Sequence, residues 1–256
     1  MIFHKFNINY YKNIYSFALF LIKYINYLRT KSSMKSDFSV IIRVKNEDKH
    51  IGYCIQSVID NLDNPEIIIV DNKSDDSSID IVNHFKKDKS LKTSDKRYVD
   101  IKIHNINTYT PGKALNLGIS KSKNKYILII SAHCKIISFD KKLTYKKLDE
   151  GFAIFGNQIP IWNGKRIKKK YLWTNFINEN KINMYSGDES RYFFHNAFSF
   201  FKKSLLKKFP FNENLVSKED RYWANDFISL KKKTFYMPSN SVEHYYTDNG
   251  ATWKNI

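Results

Sequence analysis

The sequence predicts an α/β fold: a mixed, mainly parallel sheet flanked by helices, forming a single domain behind a short N-terminal extension. Three observations predict it. Apolar runs without alternation occur at FSVIIRV (38–44), EIIIV (66–70) and YILII (126–130), the pattern of strands covered on both faces. Segments with helical apolar spacing separate these runs. Each run stops abruptly in polar residues, so the polar loops gather along one edge, where open α/β sheets bind ligands.

In chain order, the strand 38–44 exits through Lys45, Asn46, Glu47 and Asp48. Apolar residues at Ile51, Cys54, Ile55, Val58, Ile59 and Leu62 then predict a helix, stopped by Asn64 and Pro65. The strand 66–70 ends in Asp71, Asn72, Lys73, Ser74, Asp75, Asp76 and Ser77, a loop rich in helix-capping residues. A helix carrying Ile79, Ile81, Val82 and Phe85 follows. A lysine-rich, exposed connection (86–96) leads to a third strand (98–104). Thr110, Pro111 and Gly112 turn the chain into a helix with Ala114, Leu115, Leu117 and Ile119, which feeds the strand ending in Ser131, Ala132, His133 and Cys134.

Beyond Phe139 the expected elements are shorter. A strand at 152–155, a turn at 156–160 and a mobile basic loop at 164–170 come first. A strand over 193–201 leads into a helix at 204–209. Then come an amphipathic helix (219–230) with Tyr222, Trp223, Phe227 and Leu230 on its apolar side, a last strand (234–237) and a polar end (242–246). No internal repeat and no clean linker separate residues 37–139 from 140–256, so the two halves are expected to share one sheet.

The 256 residues carry a formal net charge of +18 and two cysteines, Cys54 and Cys134, far apart and without metal spacing. No disulfide framework or zinc ribbon is expected. The charge is spread among runs of lysine in an Asn-, Ile- and Tyr-rich background and accompanies no recognisable nucleic-acid module, so nucleic acid is not an expected partner. An anionic membrane surface is. Residues 1–36 hold six Lys or Arg and no acid around an apolar run from Ile14 to Leu28. That run is too short and interrupted to span a bilayer, which takes roughly 20 apolar residues. It suits an interfacial helix on an anionic leaflet, and no cleavage site follows it, so the expected location is cytoplasmic and peripheral to the inner face of the cell membrane.

Four polar clusters need one explanation: Asn46-Glu47, Asp71-Asn72, Ser131-Ala132-His133 and Glu219-Asp220. Three lie at strand ends and the fourth at a helix N-terminus, where an anion can meet backbone N–H groups, and the set suits a nucleotide. Five segments in order resemble a family 2 glycosyltransferase of the inverting, GT-A type found in bacterial surface-glycan synthesis. SVIIRVKNE resembles its opening strand and EIIIVDNKSDDSS its nucleotide loop. PGKALNLGIS resembles its G-x-A-x-N-x-G-I segment, KYILIISAHC its strand ending in Asp-x-Asp, and KEDRYWAND its Glu-Asp base motif. The resemblance covers residue 38 to about 253 and implies that residues 37–139 form the nucleotide-binding half and residues 140–256 the acceptor and catalytic half.

It implies that Asn46, Glu47, Asp71 and Asn72 lie at the nucleotide, that Lys113 and Asn116 approach the donor phosphates, and that Ser131 lines the same site. It implies Asp220, with Glu219 second, as the base that takes the acceptor proton. The departure is at the Asp-x-Asp positions, which hold Ser131 and His133. A divalent ion, Mn²⁺ or Mg²⁺, is the family's cofactor there; His133, together with His244 of SVEHYY, is its expected ligand, since imidazole suits Mn²⁺ better than Mg²⁺. A metal-free site in which the histidines meet the diphosphate directly stays open. The function implied is transfer of a sugar from a nucleotide-sugar donor to a hydroxyl of a growing glycan or lipid-linked acceptor, of capsule or lipopolysaccharide type. Two other classes remain: a nucleotide-sugar-binding protein that has lost catalysis, and a basic nucleic-acid-binding protein.

Overall fold

The computed structural model describes residues 38–88, 91 and 99–248, so the N-terminal extension and most of the lysine-rich connection lie outside the described residues. β1 (Phe38–Val44), α1 (Ile51–Asn61), β2 (Glu66–Asp71), α2 (Ser78–Lys87), β3 (Asp100–Asn105), α3 (Pro111–Lys121) and β4 (Tyr126–Ser131) follow the expected strand and helix alternation. β5 (Cys134–Ser138), α4 (Lys141–Asp149), β6 (Ala153–Trp162), β7 (Lys165–Arg166), a 3₁₀ turn (Tyr171–Asn175), β8 (Lys181–Ile182), β9 (Tyr185–Ser186), β10 (Arg191–Tyr192), β11 (Phe198–Lys202), α5 (Lys203–Lys208), α6 (Glu219–Ser229) and β12 (Thr234–Tyr245) complete the chain.

The main sheet runs β3-β2-β1-β4-β11-β6-β12-β5. β1 pairs parallel with both β2 and β4, and β2 with β3, so the carboxyl ends of these four strands share one edge. β11 enters antiparallel between β4 and β6, which makes the sheet mixed. Both faces are covered, as the unbroken apolar runs require. Val40, Ile42, Leu128 and Ile130 pack on the face covered by α1, while Ile41, Ile127 and Ile129 pack on the face covered by α3 and α6. α3 starts where expected because Thr110 Oγ1 accepts from the Lys113 N–H (3.2 Å) and Pro111 sits in the first turn.

The second half departs from the expectation in several places. β6 runs unbroken through Gly156 and Pro160, where a turn was expected. A Cβ on Gly156 would lie 2.6 Å from Asn240 O, so the glycine admits a close neighbouring backbone and does not bend the chain. β12 is one twelve-residue strand with a register shift between Met237 and Ser241, not a short strand and a separate end. The expected strand over 193–201 begins only at Phe198. β5 and α4 were not anticipated; α4 is capped by Asp140, which accepts from the Leu143 N–H at 3.0 Å. The basic stretch 164–170 was expected as a mobile loop, yet it contains β7, which forms a hairpin with β6. Among the described residues no helix is long and apolar enough to cross a membrane.

Candidate active site

The strand order reverses between β1 and β4, and a cleft opens at their carboxyl ends, as expected of a topological switch point. It encloses about 890 Å³ and is lined from one side by Val44, Lys45, Glu47 and Ser131 to His133, and from the other by Glu219 to Arg221 at the start of α6. Arg43, in register with Ser131, reaches across it.

The β1 exit turns at Asn46, whose φ is +53°, a left-handed position that asparagine tolerates. Its side-chain amide donates to Asp75 Oδ1, and its Oδ1 accepts from the Asp75 N–H (3.0 Å), which ties this loop to the one after β2. Glu47 is buried. Its Oε1 accepts from His133 Nδ1 at 2.8 Å, while Oε2 is buried with no hydrogen-bond partner.

Asp71 is turned onto its own loop. Its carboxylate accepts from the Ser74 N–H (3.1 and 3.2 Å) and the Ser74 hydroxyl (2.6 Å), the geometry of an Asx turn. The Asn72 N–H donates to Val44 O at 2.9 Å. Neither residue lines the cleft, and neither do Lys113 and Asn116. The Asn116 amide instead holds the segment before α6: it donates to Phe211 O and Glu213 Oε1, both at 2.9 Å, and accepts from the Phe211 N–H at 3.1 Å. Gly112 serves the same packing, because a Cβ there would lie 2.2 Å from Asn212 O. Tyr109 and Pro111, from the same stretch, line the cleft in their place.

On the opposite wall Glu219 and Asp220 are each 5% exposed. Glu219 Oε1 accepts from Arg43 Nη1 at 3.0 Å. Burial pushes the Glu219 carboxyl above its ordinary range, and the Arg43 charge opposes that rise. Asp220 Oδ2 accepts from the Asn196 N–H (3.0 Å) and Arg221 Nη1 (2.9 Å), and Oδ1 from the Arg221 N–H (2.9 Å). Arg221 also reaches Glu189 at 3.4 Å. Burial opposes the Arg221 charge, but Asp220 and Glu189 outweigh it and hold the guanidinium pKa above its ordinary value. The carboxylates are thus fixed in direction by two arginines.

Arg43, Arg221, Glu189 and His195 were missed as site residues. A single charge inside FSVIIRV was a signal for Arg43, since charges in buried strands need partners. His195 carried no such signal. It is buried, its Nδ1 accepts from the Ala197 N–H at 3.1 Å, and burial followed by Arg221, Arg43 and His133 drives its pKa well below the ordinary histidine value.

His133 and His244 meet, with ring centroids 4.8 Å apart. His244 Nδ1 donates to Gln158 Oε1 at 2.8 Å. With both Nδ1 atoms donating, the lone pairs stand on Nε2, the tautomer a metal takes. No group of three His, Cys, Asp or Glu able to hold a metal occurs among the described residues. Two imidazoles are thus the whole donor set among the described residues: His133 lines the cleft, whereas His244 is fully buried and lies behind the lining, and such nitrogen donors suit Mn²⁺ better than oxygen-seeking Mg²⁺.

The model of glycosyl transferase family 2 matches residues 39–209. The chain is 27% identical over 218 residues to a poly(ribitol-phosphate) beta-glucosyltransferase of Bacillus spizizenii, covering 81% of this chain and 32% of that protein. It is 28% identical over 204 residues to a GalNAc(5)-diNAcBac-PP-undecaprenol beta-1,3-glucosyltransferase of Campylobacter jejuni, covering 78% and 61%. Among solved structures, S. aureus TarS 1–349 in complex with UDP-GlcNAc aligns with a TM-score of 0.63 at 17% identity, covering 86% of this chain and 61% of that one. The mannosyltransferase PcManGT from Pyrobaculum calidifontis, in complex with GDP-Man and Mn²⁺, aligns with a TM-score of 0.60 at 14% identity, covering 86% and 59%. This chain spans less than two thirds of each of these relatives and structures.

Proposed function

The chain belongs to glycosyl transferase family 2 and has the GT-A fold of its structural neighbours, and from that premise we propose that it transfers a sugar, with inversion, from a nucleotide-sugar donor to a hydroxyl of a bacterial surface glycan. The observation that carries this reading is the placement of two buried acids, Glu219 and Asp220, across one cleft from the strand end Ser131 to His133.

In the proposed reaction the acceptor oxygen attacks the anomeric carbon as the bond from that carbon to the diphosphate oxygen breaks. The acceptor proton passes to Asp220, and the nucleoside diphosphate leaves with the bonding electrons. Asp220 is favoured over Glu219 because Arg221 and two backbone N–H groups aim its carboxylate. Glu219 orients Arg43. Lys45 at the β1 exit supplies positive charge on the nucleotide side of the cleft. Asp71, Asn72 and Asn46 shape the nucleotide loop through their hydrogen bonds to Ser74, Val44 and Asp75, and Lys113 and Asn116 act from behind the lining. His133 and His244 would hold Mn²⁺, which when bound supplies charge neutralisation to the leaving diphosphate.

The acceptor class follows the two relatives, one described as acting on poly(ribitol-phosphate) and the other on an undecaprenol-linked oligosaccharide. A polymer or lipid-linked chain at the inner face of the cell membrane suits both, and the basic extension would hold the enzyme at that surface.

A thermal-shift screen against UDP-, GDP-, dTDP- and CMP-sugars, with and without Mn²⁺, tests the donor reading. A ligand at about 100 times its Kd stabilises by roughly 2.7 kcal/mol, so one nucleotide class should raise Tm clearly. No shift with any of them would overturn it.

A further inference from the structure

A second cleft of about 500 Å³ lies beyond Glu47, between the β1 exit loop, the β6-β7 hairpin and the end of β12. Its wall is aromatic. Trp162, the last residue of β6, is 52% exposed, and its ring stands 6.3 Å from that of Tyr246 at 61°. The hairpin turn that presents it uses two left-handed positions, Asn163 (φ +46°) and Gly164 (φ +73°). A large indole left open to water at the tip of an ordered hairpin is a surface for a ligand with an apolar face.

Polar groups converge opposite this wall. Asp48 is held in place by its N–H, which donates to Asp76 Oδ2 at 3.0 Å, and its carboxylate is exposed to the cleft. Asp248 Oδ1 accepts from the Tyr246 hydroxyl at 2.9 Å, which sets the phenol against the acid. Glu47 contributes an independent sign of a ligand: it is 7% exposed, lines both clefts, and its Oε2 has no hydrogen-bond donor. A buried carboxylate oxygen without a donor is costly, and a hydroxyl reaching it would satisfy it.

We propose that this cleft binds one sugar residue of the glycan substrate, with the C–H face of the ring on Trp162 and its hydroxyls on Asp48, Asp248 and Glu47. An aromatic plane beside carboxylate acceptors that ring hydroxyls can satisfy is the chemistry of a pyranose site. A cation fits less well, because both oxygens of Asp76 already accept backbone N–H groups, from Asp48 and Ser78, and no metal-holding group of three occurs among the described residues. Because the two clefts share Glu47, the bound residue belongs to the acceptor or product chain, a statement that rests on the transferase reading for the identity of the ligand.

The test is saturation-transfer NMR on the full chain with free glucose, N-acetylglucosamine and N-acetylgalactosamine, with and without UDP or GDP. Ring protons of at least one sugar should receive saturation in the presence of nucleotide. Trp162→Ala should weaken the binding about tenfold. Asp248→Asn should also weaken it, which guards against a local folding defect of the hairpin variant. Hydrolysis of the nucleotide sugar by water should be unchanged in Trp162→Ala. Unchanged signals in both variants, no saturation of any of the three sugars, or displacement by nucleotide would overturn the proposal. So would a response of Trp162 fluorescence to Ca²⁺ that Asp48→Asn abolishes. If sugars bind at Trp162 but no nucleotide sugar binds the protein, the transferase reading fails and the site stands; nucleotide-sugar binding without sugar saturation gives the reverse.

Discussion

Arg43 and Glu219 are 176 residues apart in the chain, and their side chains meet at 3.0 Å across the mouth of the principal cleft. The pair joins the switch-point strand to the first turn of α6. Burial raises the Glu219 carboxyl above its ordinary value of 4.5, against the pull of Arg43. The folded chain therefore holds that proton to higher pH than the unfolded chain does. The contribution is fully present below about pH 4.5 and is lost as pH rises through the folded value. Melting curves over about pH 4 to 8 should show wild type losing stability through this window relative to Glu219→Gln, and Arg43→Met should extend the loss upward. Parallel curves for all three would contradict the arrangement.

Gly112→Ala should destabilise by about 1–3 kcal/mol, because its Cβ would sit 2.2 Å from a backbone oxygen, Asn212 O, that the Asn116 amide helps to fix through Phe211 and Glu213. Urea denaturation checks it. A variant as stable as wild type would mean that the segment before α6 moves freely away.

The histidine pair predicts a metal preference. Mn²⁺ should support transfer better than Mg²⁺, and His133→Asp, which supplies a hard oxygen ligand, should shift the preference toward Mg²⁺. Rates with each ion added to chelated enzyme measure this. Equal rates with both ions in wild type, or an unshifted ratio in the variant, would count against ligation by His133.

Deletion of residues 1–36 should abolish sedimentation with anionic vesicles and leave transfer to a soluble acceptor unchanged, since the extension offers apolar area and positive charge without a catalytic group. Vesicle binding by the truncated chain equal to that of the full chain would assign the attraction to the surface lysines.

The first half was legible because its strands are buried on both faces, which leaves unbroken runs such as Tyr126 to Ile130, and because Thr110 and Pro111 punctuate a helix start by local chemistry. The second half was less so. Gly156 and Pro160 read as a turn by their usual meaning, yet long-range pairing with β12 holds them in a strand. The same limit applied at the site. Glu219, Asp220, Ser131, His133 and Glu47 meet at the cleft as their motifs suggested, whereas Asp71 and Asn116 spend their hydrogen bonds on loop geometry. Arg221 and His195 acquire their roles only through contacts made after folding, which no local pattern encodes.

In the proposed reaction Asp220 takes the acceptor proton. The direct measurement is the single-turnover transfer rate of Asp220→Asn beside its affinity for the donor, in enzyme whose fold is confirmed by an unshifted melting profile. Removal of a general base costs roughly 10²- to 10⁴-fold in rate, and the amide keeps the shape while losing the proton acceptor, so transfer should fall by that factor with donor Kd nearly unchanged. Transfer within a few-fold of wild type would contradict the account and move the role to another group.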